Sequence, residues 1–211
     1  MSYFERMDAV HMDILKEIGN IGAGHAATAL SKLLNKKIEM TIPDVRIISF
    51  DEMMDIVGGA DNVVAAVFLR IEGDAPGNMF FVLSIEQAER FIQQMIGDEQ
   101  FKLEQDCSEL SLSALQELGN ILAGSYLSSL SDFTHLNLYP SVPALSIDMI
   151  GAILSYGLIE MSRVGDHVIV VDTAIHEEHQ PDDRVNGHFF LLPDPESFHI
   201  IFRALGVEHD E

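Results

Sequence analysis

The chain has 211 residues, 47% of them hydrophobic, with 12 basic residues against 34 acidic ones and a formal charge of −22. That apolar content supports a proper core and excludes an acidic disordered chain, while the negative surface argues against nucleic acid or anionic lipid as a partner. Cys107 is the sole cysteine, which excludes an internal disulfide and fits a reducing compartment.

The amino terminus lacks the basic flank and apolar run of a signal peptide, and no uncharged apolar stretch approaches the length of a membrane span. The expectation is a soluble, cytoplasmic protein. Apolar spacing predicts a first helix from about Asp8 to Leu34, ending before Asn35-Lys36-Lys37, whose cations suit a helix carboxyl terminus. Ile38 to Ile42 alternates as a strand does, Pro43 follows, and Arg46 to Phe50 reads as another short strand. Asp51 is the expected cap of a short helix through Ile56, stopped by Gly58-Gly59. Val63 to Glu72 and Asn78 to Leu83 form a hairpin around Gly73-Asp-Ala-Pro-Gly77, and Ser84 opens a helix closed by Gly97.

Residues Asp98 to Asp106 read as a connection between the halves, and Cys107 at its end reads as incidental. A second long helix is expected over about Ser108 to Leu130. Pro140-Ser-Val-Pro143 then answers Pro43, and the apolar stretch Ile147 to Ser162 reads as a helix. Val168 to Ala174 and Gly187 to Leu192 give a second hairpin around the longer loop His176 to Arg184, and Pro195 to Leu205 is the closing helix.

The order of elements is given twice, and so is one stretch of sequence. Asp13-Ile-Leu-Lys-Glu17-Ile-Gly-Asn20-Ile-Gly-Ala-Gly24 returns one hundred positions later as Ser113-Ala-Leu-Gln-Glu117-Leu-Gly-Asn120-Ile-Leu-Ala-Gly124. Seven of the twelve positions are identical, where chance would match about one. The predicted architecture is therefore α/β of the α+β type. Two related halves, about 8–97 and 108–206, form a single domain over residues 1–211. Their hairpins share an antiparallel or mixed sheet covered by helices, with the two motif helices exposed and related by a pseudo-twofold axis.

On a helix, positions 13, 17, 20 and 24 fall within roughly 60° of one another. Asp13, Glu17, Asn20 and Gly24 make one stripe, as do Ser113, Glu117, Asn120 and Gly124. A solvated helix face is the plain alternative. Yet Asn is a mediocre helix former and Gly a poor one, and both are kept at matched places while their neighbours drift. Gly24 and Gly124 leave room beside Asn and Glu for close approach by another backbone or a ligand.

Other chemistry is poorly supported. Gly19-Asn-Ile-Gly22-Ala-Gly24 has the wrong order for a dinucleotide turn, and no phosphate-binding loop or nucleophile elbow is present. His176 and His179 lack the i, i+4 spacing of a zinc protease, and His25 is replaced by Ser125 in the repeat, so no metal site is expected. An Asn amide does not titrate, but it can accept a hydrogen bond from a water while donating to an anion. Phosphoryl transfer is a reaction in which positioning and charge neutralisation suffice. A Glu on the same face is placed to anchor a cation of the substrate. A stripe rather than a pocket implies a protein substrate, bringing its own metal.

The twice-given pattern Asp/Ser-x-x-x-Glu-x-x-Asn-x-x-x-Gly resembles the CheC phosphatases of bacterial chemotaxis, most of all the two-site CheC of the Bacillus type. The likeness extends to Phe50-Asp-Glu, Gly58-Gly59, Leu138-Tyr-Pro-Ser-Val-Pro143 and Val170-Val-Asp-Thr173. The resemblance implies dephosphorylation of the aspartyl phosphate of the response regulator CheY, whose own site supplies Mg²⁺, so that no cofactor is needed here. It implies that Asn20 and Asn120 position the attacking water and that Glu17 and Glu117 pair with the regulator's lysine. Asp13, Ser113, Gly24 and Gly124 then hold supporting motif positions. It further implies a second partner, the deamidase CheD, which enhances the activity. Asp148 and the helix after it are a candidate CheD face, with core packing as the alternative. A non-catalytic module that sequesters phospho-CheY or CheD is the competing function. A monomer is expected, with two sites made unequal by their flanks, His25-Ala-Ala and Ser125-Tyr-Leu.

Overall fold

The computed structural model describes residues 9–104, 108–160, 167–178 and 184–206. Strands β3 (Val63–Gly73) and β4 (Gly77–Ser84) are buried on successive residues rather than alternate ones, so their sheet needs cover on both faces. They form the expected hairpin. Gly73 turns it with φ +109°, and an added Cβ there would lie 1.9 Å from the carbonyl oxygen of Asn137. Asp74 accepts from the backbone N–H and side-chain amide of Asn137, which hold its carboxyl below the usual carboxylate range.

The second hairpin is β7 (His167–Glu177) with β8 (Val185–Pro193), antiparallel with Ile169 opposite Leu191. The two hairpins join through β4 and β8, where Phe81 lies opposite Phe189 with ring centroids 4.8 Å apart. Around this pair the halves are related by a pseudo-twofold axis, and their outer strands are exchanged. Strands β1 (Ile38–Thr41) and β2 (Val45–Ser49) of the first half pair with β7 of the second. Strands β5 (Leu138–Pro140) and β6 (Ala144–Met149) of the second half pair with β3 of the first. All eight strands pair antiparallel. The register repeats too: Ile38 faces Glu177 as Leu138 faces Gly73.

One face of the sheet packs under the two motif helices, α1 (Ala9–Leu34) and α4 (Glu109–Thr134), with α3 (Ile85–Ile96) and α6 (Pro195–Ala204) beside them. Val67, Leu69, Phe81 and Phe189 point into this larger core. On the other face α2 (Phe50–Ile56) and α5 (Ile150–Glu160) bring Met53, Ile150 and Leu154 against Val64, Phe80, Val82 and Phe190.

Several local expectations are corrected. The cap of α2 is Ser49 rather than Asp51, because Ser49 and Glu52 satisfy each other's backbone N–H groups in a capping box. The stretch from Ile147 is strand as far as Met149, since β3 offers an edge to pair with, and helix begins only at Ile150. Helix α4 runs four residues past Leu130 to Thr134, closed by His135 in the left-handed region. His176 and Glu177 end β7 instead of opening a loop, with Glu177 and Glu178 paired to Lys36 and Lys37 after α1. The chain after α3 folds back on it, where buried Glu89 accepts from Leu103 N–H and Lys102. Cys107, His179 and the centre of the second hairpin loop lie outside the described residues.

Candidate functional site

Each motif helix is set by its apolar face. Leu15, Ile18, Ala23, Ala26 and Leu30 are buried on α1, and Leu115, Leu118, Leu122, Ala123 and Leu127 on α4. Ser108 caps α4, its hydroxyl accepting from Ser111 N–H. Burying these faces leaves the stripe outside. Asp13, Glu17 and Asn20 are exposed on α1, and Ser113, Glu117 and Asn120 on α4. Within the described chain the Glu17, Asn20, Glu117 and Asn120 side chains form no hydrogen bond or ion pair. Each helix thus sets a Glu carboxylate and an Asn amide three residues apart on one face, with donor and acceptor capacity unspent.

The glycines divide into two kinds. A Cβ on Gly24 or Gly124 would meet nothing within 4 Å, so both leave open space next to Asn. Gly19 and Gly119, which precede the two Asn residues, are instead buried against the sheet. A Cβ on Gly119 would fall 2.5 Å from Val67 Cγ1, whereas one on Gly19 would rest 3.5 Å from Ile42. An apolar cavity of about 50 Å³, lined by Leu15, Gly19, Tyr126, Val171 and Phe189 among others, lies on the looser side. The helices approach each other at Gly22, where a Cβ would be 3.1 Å from Cα of Tyr126. Tyr126 is buried, which pushes its phenol up, and its hydroxyl lies 3.2 Å from the Thr173 hydroxyl.

The sequence reading missed a pair of tethers. Lys16 Nζ donates to the Pro43 carbonyl at 2.8 Å, and Gln116 Nε2 donates to the Pro143 carbonyl at 2.6 Å. These are corresponding positions with different chemistry, each one turn before Asn on the same flank of its helix. Both fasten the stripe to the loop after the exchanged outer strand. The matched prolines were a visible signal; the Lys-to-Gln change hid the matched donors.

Of the other singled-out residues, His25 Nδ1 lies 3.5 Å from Ser129 Oγ across the helix pair. Asp148 sits on exposed β6 opposite Val64, and its carboxylate accepts from the N–H of Met149. It follows the end of the second stripe by 24 residues, next to the start of α5. Among the described residues no group of three or more His, Cys, Asp or Glu is placed to hold a metal ion, and no helix is long and apolar enough to cross a membrane.

Helix pairs laid over an exchanged antiparallel sheet define a fold shared with flagellar-switch proteins. Thermotoga maritima FliY superposes with a TM-score of 0.73 at 22% identity, covering 97% of this chain and 100% of that one. Residues 10–47 and 110–147, each holding one stripe and one tethered loop, match the CheC-like family. The chain is 54% identical over 210 residues to the CheY-P phosphatase CheC of Bacillus subtilis (strain 168), covering 98% of this chain and 99% of that protein. It is 35% identical over 127 residues to the flagellar motor switch phosphatase FliY of the same organism, covering 59% of this chain and 32% of that protein. This chain belongs to the CheC-like family.

Proposed function

We propose that the protein is a phosphatase that hydrolyses the aspartyl phosphate of a CheY-type response regulator in the cytoplasm. The observation that carries this reading is the pair of Glu/Asn stripes, exposed in both halves and without partners among the described residues, on a chain with near full-length likeness to a CheY-P phosphatase. A helix stripe cannot enclose a small molecule, but it can enter the active-site cleft of a docked domain.

In that arrangement Asn20 or Asn120 holds a water in line with the phosphorus. The water oxygen forms the new P–O bond while the bond to the aspartate oxygen breaks, giving inorganic phosphate and a free carboxylate, and the water's proton passes to bulk solvent, since the Asn amide does not take it up. Phosphoryl transfer of this kind needs little covalent help, so a fixed water supplies much of the advantage. The regulator's own Mg²⁺ neutralises charge on the phosphoryl oxygens. Glu17 or Glu117 pairs with the regulator's active-site lysine and fixes the angle at which the helix enters. Asp13, Ser113, Gly24 and Gly124 shape the stripe at its ends, the glycines by leaving space for the partner's backbone. We further propose that the protein acts as a monomer, and that Asp148 with the start of α5 forms the face through which the deamidase CheD modulates it.

The test is phosphate release from phosphorylated CheY in the presence of Mg²⁺. Wild type is expected to accelerate it, and Asn20→Ala/Asn120→Ala to abolish the acceleration while keeping its fold. Binding of phospho-CheY with no faster release, even with CheD added, would instead favour a sequestering module.

A further inference from the structure

The two tethered loops correspond in sequence and differ in what they show to solvent. In the first, Ile42 is only 3% exposed and packs over Gly19. In the second, the corresponding Val142 is 86% exposed. The neighbouring glycines differ to match: Ile42 is the nearest side chain over Gly19, whereas Val67 occupies the space over Gly119.

Single exposed apolar residues are ordinary on protein surfaces. Val142 is distinguished by how firmly it is held. Prolines 140 and 143 bracket it, limiting the conformations of the loop. Ser141 N–H donates to the Arg70 carbonyl at 2.8 Å, and Ser141 Oγ accepts from Arg70 N–H at 2.9 Å. Gln116 binds the carbonyl of Pro143. Gln116 and Asn120 are one turn apart, about 40° around the helix, so the loop stands along the Asn flank of the second stripe. Ala144 beyond it is also exposed. The first loop continues instead into Asp44, paired with Arg46 at 2.9 Å. A rigid apolar side chain costs little entropy to bury in an interface.

We propose that Val142 is a docking residue of the second site, an apolar contact for the receiver domain that presents its aspartyl phosphate to Asn120, and that the first site lacks an equivalent. The proposal rests on the phosphatase reading for the identity of the partner. The surface is continuous with the catalytic stripe, so the partner that reaches Asn120 covers Val142 as well.

The experiment uses full-length protein with one site silenced. In an Asn20→Ala background, where the second site acts alone, Val142→Ser is expected to raise KM for phospho-CheY about tenfold, the equivalent of losing one buried aliphatic side chain, with kcat unchanged. Val142→Ile restores the parent KM. In an Asn120→Ala background the rise is absent. The same proteins are titrated with CheY carrying Mg²⁺ and beryllofluoride as a phosphoryl mimic, where Val142→Ser weakens one of the two binding steps about tenfold in either background, because the Asn substitutions silence chemistry and not docking, and leaves the other step unchanged. If no variant releases phosphate, the phosphatase reading fails while this titration still decides the role of Val142. An unchanged Kd and KM, an equal rise of KM in both backgrounds, a weakening of both binding steps alike, or a fall in kcat alone would overturn the proposal.

Discussion

Asn20 and Asn120 sit in exposed helix interiors with no side-chain partner in the described chain, so the fold gains nothing from them. Asn in a helix is less favourable than Ala by roughly 0.6 kcal/mol. Asn20→Ala/Asn120→Ala should therefore be more stable than wild type by about 1 kcal/mol, raising the melting temperature by roughly 2–4 °C for a chain of this size. Thermal denaturation followed by circular dichroism measures it directly. A fall in the melting temperature would mean that the amides hold the structure together, and the loss of phosphate release could not then be assigned to chemistry. Residues whose type costs local stability are candidates for function, and these two stand at matched positions in both halves, as the proposed water-positioning role requires.

At the scale of elements, the determining contact is between α1 and α4. Gly22 lies beneath Tyr126, with only 3.1 Å left between an added Cβ and the Tyr126 Cα. The repeat sets Gly22 against Leu122 and Ala26 against Tyr126, so small residues on one helix answer large ones on the other. Gly22→Ala is expected to cost about 1–3 kcal/mol by overpacking, measured as a lower urea midpoint. Because the backbone as well as the ring is close, Gly22→Ala/Tyr126→Ala should recover only part of that cost, giving a non-additive cycle; strict additivity would place the two residues out of contact. The sequence made the helices, hairpins and stripes legible because each is periodic, capped or repeated. It did not reveal that drift between the copies is compensatory, since that depends on which residues meet across the pseudo-twofold axis. Strand β6 escaped for a related reason. Leu145, Ile147 and Met149 alternate with Ala144, Ser146 and Asp148, but the apolar run from Ile150 onward masks the change of period. The tethers of Lys16 and Gln116 were hidden because what is repeated is a hydrogen bond to a carbonyl, not a residue type.

For the whole molecule, the exchanged outer strands decide how the halves depend on one another. Strands β1 and β2 pair only with β7, and β5 and β6 only with β3, among the described residues. A fragment of residues 1–104 keeps its own hairpin but gives β1 and β2 nothing to pair with, and it uncovers the apolar face of α1 that α4 protects. Edge strands and apolar faces left open in this way favour association over an isolated fold. The matching registers, Ile38 with Glu177 and Leu138 with Gly73, mean that β3 of a second copy presents the edge that β7 presents in the intact chain. Two copies of the fragment can therefore exchange strands as the two halves do, though less well, because Gly22 would then face Ala26 rather than Tyr126. The fragment is expected to be unfolded as a monomer, and any folded species to sediment as a dimer with a concentration-dependent melting temperature. Mixing it with residues 105–211 should restore a 1:1 complex with both Glu/Asn stripes and phosphate release. Analytical ultracentrifugation alongside circular dichroism separates the cases: a folded, monomeric fragment with a cooperative melt independent of concentration would show that each half is self-sufficient and that strand exchange is not what binds the molecule together.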